Sequence, residues 1–233
     1  MRSSINNYPI EDKAIAYRNL WISIPNLLLS FVGWYLWSVI VIRLNDVGFN
    51  LTNGQLFTLV SLPGLVGSTL RIIYAFVIPY VGGRNWTVIT SISLLIPLCG
   101  IGFVVQDPTT PYWVLVVLAM LSGFGCANFS SSNANISLFF PKRLQGTALG
   151  LNSGLGNVGI SVIQLLGPWV ITFAIVGFGA SQTVVKNGVE SQVYLQNAAF
   201  VWVIPIIICV ALAYFGMNNV FTVKPSLSQQ LVI

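Results

Sequence analysis

Arg71 stands near the middle of an apolar run, residues 56–81, that carries no other charge. A guanidinium stays protonated at any relevant pH. Holding it at bilayer depth costs about 2.5–3.5 kcal/mol on translocon scales. No Asp or Glu occurs in any long apolar run of the chain, so no carboxylate is available at that depth to neutralise it. The obvious remaining partner is an anion from outside the protein. The competing reading is an arginine snorkelling to the interface. Against it, Arg71 lies about ten residues, roughly 15 Å of helix, from the cytoplasmic end of its run.

Two further stretches carry groups that an anion site would use. The first runs from Gly123 to Asn135. Within it Asn128, Ser131 and Asn135 fall at i, i+3 and i+7, one helical face, with Ser132 beside Asn128 at i+4. Such a row either hydrogen-bonds a neighbouring helix or lines a hydrated cavity. Phe129 in the same stretch offers a flat surface to a planar ligand, or simple packing. The second stretch opens at Gly146 and supplies the amide donors Asn152 and Asn157, each suited either to an oxyanion or to a neighbouring helix. Gly146, Gly150 and Gly154 repeat at i+4, a ridge of small residues expected to pack tightly on another helix, with Gly156 and Gly159 as further packing glycines. Gly154, Gly156 and Gly159 also match Gly-x-Gly-x-x-Gly, but no strand precedes them, so a dinucleotide site is not implied.

Other chemistry finds no support. There is no histidine, which removes the commonest general base and metal ligand. Cys99, Cys126 and Cys209 lie in separate apolar runs without metal-ligand spacing. No catalytic set, metal site or cofactor motif is expected, and the chain does not read as an enzyme. The basic residues are too few and scattered for nucleic acid.

The elements that must position these residues are membrane helices. Only 6% of residues are charged and 55% are hydrophobic, whereas soluble domains carry roughly a quarter charged residues. A span needs about 20 apolar residues. Six runs qualify: residues 20–42, 56–81, 86–105, 112–140, 146–178 and 198–215. An N-terminus inside places Arg2, Lys13, Arg18, Arg84, Lys142, Arg143 and Lys224 in the cytoplasm and leaves Arg43 and Lys186 outside. Among the acids, Glu11 and Asp12 fall inside, and Asp46, Asp107 and Glu190 outside. The expectation is an all-α protein of the cytoplasmic (inner) membrane, in contact with lipid, with both termini cytoplasmic. Residues 1–19 form an N-terminal segment, 20–216 the six-helix domain and 217–233 the start of a linker. Pro63, Gly64 and Gly67 interrupt the second run where glycines interrupt the fifth. That correspondence predicts two inverted three-helix repeats with a site between them.

The stretch from Asn128 to Lys142, and the segment Gly146 to Ser161 after it, resemble the nitrate/nitrite porters of the major facilitator superfamily. The second segment is similar to that family's nitrate signature. The loop Gly82-Gly83-Arg84 occupies the place of the superfamily's cytoplasmic loop motif but lacks its usual acidic residue. The resemblance runs from Ile24 to the tail at 228–231 and implies the N-terminal six-helix half of a twelve-helix transporter. It implies that Arg71 is the arginine of this half, that Phe129 packs on the planar anion and that Asn157 is the signature asparagine. Asn128 and Asn152 are further candidates. A second arginine, on a partner half, is implied to complete the clamp; the sequence looks like a fragment or one product of a split gene.

The resemblance implies nitrate/nitrite antiport by alternating access, without a cofactor. The absence of His, Asp and Glu from the six spans favours antiport over a proton-coupled symporter half. A non-transporting membrane subunit that pairs with another six-helix chain is the alternative from a different class.

Overall fold

The computed structural model describes residues 12–174, 179–186 and 189–220. Arg2, Glu11, Lys224, the 228–231 tail and the end of the fifth predicted span at Phe178 lie outside the described residues. Six helical segments are long and apolar enough to cross a membrane. They are α1 (Lys13–Leu44), α2 (Asn53–Val81), α3 with α4 (Gly83–Ser93, Leu95–Val104), α5 (Tyr112–Ser137), α6 (Lys142–Val170) and α7 with α8 (Asn197–Phe200, Val203–Gly216). The fold is the expected all-α architecture of six membrane-spanning helices.

Local chemistry moves the ends away from the limits of the apolar runs. The α1 helix starts at Lys13 because Asp12 caps it, its Oδ1 accepting from the amides of Ala14 and Ile15 at 2.8 and 3.4 Å. Hydropathy sees only the lipid-crossing part of a helix, so the expected start at 20 was late. Thr52 and Gln55 form a reciprocal capping box on α2. The α5 helix stops at Ser137 rather than 140, since Pro141 disfavours helix in the residue before it. Phe139 and Phe140 instead turn into a cluster with Ala16, Leu20 and Ile24. The α6 helix starts at Lys142, directly after that proline, and ends at Val170.

Between α6 and α7 lies an antiparallel hairpin, β1 (Gln182–Lys186) and β2 (Val189–Val193), paired in the register Val184 with Ser191. It occupies the connection between the fifth and sixth predicted spans. Val184, Val193 and Leu195 are buried in the main core, so the hairpin is packed down rather than free.

The helices pair in a way that fits two inverted repeats. The α1 and α5 helices lie together in the centre. The α2 helix packs on α5, and α6 packs on α1, so the second helix of each unit lies against the first helix of the other. The third spans of the two units meet as α3 against α8.

The small residues behind these contacts are only partly the expected ones. A Cβ on Gly156 would lie 2.6 Å from Leu27, and one on Gly159 would lie 2.1 Å from the Leu28 carbonyl oxygen. Gly167 makes a third close approach, to Val39. Gly146, Gly150 and Gly154 have nothing within 4 Å of such a Cβ. The predicted ridge is therefore not a packing surface within this chain. The buried stripe of α6 runs Ala148, Asn152, Gly156, Gly159, Ile163. Gly146, Gly150 and Gly154 sit two residues out of phase with its start, about 200° around the helix.

Candidate functional site

Arg71 is positioned by a close crossing of α2 and α5. A Cβ on Gly67 would lie 2.3 Å from the Cβ of Cys126 and 2.7 Å from the Gly123 carbonyl oxygen. One on Gly123 would lie 2.9 Å from the Pro63 carbonyl oxygen. The backbones touch only because neither residue has a side chain. Arg71 follows Gly67 by one turn and so projects across α5 at close range.

There its Nε donates to the Cys126 carbonyl oxygen at 3.2 Å, and its Nη2 donates to Cys126 Sγ at 3.3 Å. The guanidinium carbon stands 5.0 Å from the centre of the Phe129 ring, inside the range of a cation–π contact. Phe129 in turn stacks on Phe31 of α1, with centroids 6.1 Å apart and planes at 15°. Phe31, Phe129 and Arg71 thus form three layers, the innermost 1% exposed.

An arginine has five N–H donors, and these contacts use two of them, so three remain for a ligand. Arg71 is only half-buried. An ion pair joins Arg43 to Asp46 at 3.2 Å, at the far end of α1. No carboxylate neutralises Arg71 there, as its sequence setting predicts.

Of the candidates, the structure brings only Phe129 against Arg71. Asn128 turns the other way, into the bundle, and its Nδ2 donates to Ser30 Oγ at 2.8 Å. Asn152 is fully buried and donates to Ser132 Oγ at 2.9 Å and Asn133 Oδ1 at 3.1 Å. Both amides hold helices together in the described fold, the interhelical reading left open by the sequence. Asn157 is exposed and its Nδ2 donates to the Ser153 carbonyl oxygen one turn earlier, at 2.7 Å. It shares the open face of α6 with Gly146, Gly150 and Gly154, because 146, 150, 154 and 157 follow helical spacing. The polar row Asn128, Ser131, Asn135 is one buried face, as its spacing predicts.

Sequence reasoning missed the polar ladder of α1 that receives this row. Asn19, Ser23, Asn26 and Ser30 recur at helical spacing and are all buried. Ser23 bonds Ser132 at 2.8 Å, and Asn26 accepts from Ser91 at 3.1 Å. Four polar residues at i, i+4, i+7 and i+11 in an apolar run were the available signal. The supports of the arginine, Cys126 and Phe31, left no comparable trace, because both are apolar residues in apolar runs.

No family model matches the chain. Curated relatives do. A nitrate/nitrite transporter, NarU, of Salmonella typhimurium is 48% identical over 221 residues, 95% of this chain and 48% of the relative. A probable nitrate/nitrite antiporter, NarK2, of Thermus thermophilus is 49% identical over 212 residues, 90% of this chain and 48% of the relative. NarU of Escherichia coli is 46% identical over 222 residues, again 48% of that relative. The chain spans about half the length of the curated relatives it matches.

Proposed function

Because the chain belongs to the nitrate/nitrite porter family, we propose that it forms the N-terminal half of a transporter that exchanges nitrate and nitrite across the cytoplasmic membrane, with both of its termini cytoplasmic. The observation that carries this reading is Arg71, charged, without a carboxylate, held by one edge on Cys126 and laid over the Phe129 ring. Its unused donors match the in-plane oxygens of a small planar monoanion. Phe129, stacked on Phe31, backs the guanidinium and holds its plane in place for the anion. The exposed amide of Asn157 supplies a further donor from α6 once it leaves the Ser153 carbonyl.

Alternating access follows from electrostatics. A second arginine on the partner half would face Arg71 across the cavity, and the two charges repel. A bound monoanion relieves that repulsion, so reorientation is favoured when the site is loaded. Nitrate and nitrite carry the same charge, so their exchange moves none. The described spans place no His, Asp or Glu beside the site to carry a proton, which supports exchange over proton-coupled symport.

The test is counterflow in liposomes holding the complete transporter. Labelled nitrate uptake should accelerate when nitrite is loaded inside and should not respond to an imposed pH gradient. Uptake that needs the pH gradient contradicts exchange. Failure to take up nitrate under any gradient contradicts transport and leaves the chain a membrane scaffold.

A further inference from the structure

On the far side of α5 from Arg71 lies a polar cavity between α1, α3 and α5, with room of about 10 Å³ for the centre of a water-sized sphere. Three of its walls are Ser30 from α1, Ser91 from α3 and Asn128 from α5. Most hydrogen bonds around it have a defined donor. Ser30 Oγ donates to the Asn26 carbonyl oxygen at 2.8 Å. Its proton is therefore committed, and it accepts from Asn128 Nδ2. This fixes the orientation of the Asn128 amide, a residue that lines the cavity, and leaves its Oδ1 as the oxygen still to be met. That oxygen is buried and has no partner, in a residue only 5% exposed.

None of the neighbours donates to it. Ser91 donates to Asn26 Oδ1, Thr90 to the Trp86 carbonyl oxygen and Ser131 to the Asn128 carbonyl oxygen. The Ser23 and Ser132 hydroxyls bond each other, Ser132 also receives Asn152, and the pair's remaining proton does not reach Asn128 Oδ1. The cage thus leaves a buried acceptor, Asn128 Oδ1, unmet beside a space that fits a single water. A cation would also satisfy acceptors, but the spans hold no carboxylate to offset its charge, and burying an unpaired charge costs far more than burying a water.

We propose that this cavity holds one buried water that donates a hydrogen bond to Asn128 Oδ1 and ties α1, α3 and α5 together. The water joins the two three-helix units, since α1 and α3 belong to one and α5 to the other. It also fixes the residue next to Phe129, although the site stands independently of any reading of transport.

The direct test is a structure of the full chain in lipid nanodiscs at a resolution that shows buried waters. Density within hydrogen-bonding distance of Asn128 Oδ1 and of a second cage oxygen is expected, unchanged when sodium is replaced by choline. An empty cage in a map that resolves other buried waters overturns the proposal, as does density that vanishes without sodium. Ser131→Thr supplies a second readout by placing a methyl group in the cavity. With the water expelled and Asn128 Oδ1 left unpaired, the melting temperature should fall by about 2–4 °C. In an Asn128→Leu background that fall should disappear. A rise in melting temperature on Ser131→Thr alone would mean that the methyl group filled a dry void, and would overturn it too.

Discussion

Replacing Gly67 by Ala should disable the arginine without touching it. The added Cβ would stand 2.3 Å from Cys126 Cβ and 2.7 Å from the Gly123 carbonyl oxygen. Carbon atoms pack at about 3.5–4.0 Å, so α2 must withdraw from α5 by about 1.2–1.7 Å. Neither obstacle can step aside, because one is backbone and the other a Cβ. Overpacking of this kind costs about 1–3 kcal/mol of stability. Arg71 rides on the next turn, and its 3.2 Å bond to the Cys126 carbonyl oxygen would pass beyond bonding distance. A hydrogen bond to a charged group is worth about 1.5–3 kcal/mol, so the KM for nitrate should rise about 10- to 100-fold. The assay is nitrate uptake by the complete transporter, normalised to the amount in the membrane. Gly64→Ala on the same helix is the control, since its Cβ would meet only Trp34 Nε1, at 3.9 Å. A wild-type KM for Gly67→Ala, or equal damage from both substitutions, would refute the reasoning.

Other positions give equally sharp expectations. Phe129→Leu removes the ring beneath Arg71 and the stack on Phe31, contacts of about 0.5–2 kcal/mol each, and should raise the nitrate KM severalfold while Phe129→Tyr stays near wild type. Gly150→Ala and Gly154→Ala meet no neighbour in this chain and should leave its thermal unfolding in detergent unchanged or raised, since Ala is the better helix former by about 1 kcal/mol. Gly159→Ala, which would press a Cβ against the Leu28 carbonyl oxygen, should destabilise it in the same measurement. Asn157→Ala should leave unfolding untouched, because the side chain is exposed and bonds only its own helix, yet weaken nitrate uptake.

Much of this molecule is written in the sequence because a bilayer imposes simple rules. Spans must be long and apolar, so six could be counted, and an unpaired charge inside one stands out at once. The contact of Arg71 with Phe129 is a different matter. The motif resemblance implied a role for each, but their meeting depends on Gly67 and Gly123 bringing two distant segments together. The glycine ridge misled because spacing reveals which residues share a face and not which way that face points. Gly146, Gly150 and Gly154 do share a face, and it is the open one. Asn128 and Asn152 illustrate the same ambiguity for polar groups. In a membrane helix an inward-facing amide can serve a ligand or a neighbour, and here the neighbours are Ser30 and Ser132. The hairpin at 182–193 was invisible because its strands are short and, of their described side chains, only Val184 and Val193 are buried in the core.

The most direct measurement is nitrate uptake by the complete transporter carrying Arg71→Lys. Lysine keeps the positive charge but loses both the planar fork and the Nε donor that anchors the side chain on Cys126. Uptake should fall at least about tenfold through a raised KM, with the protein still folded and inserted. Uptake by Arg71→Lys with a wild-type KM would mean that charge alone is required there, and that the guanidinium of Arg71 does not hold the anion.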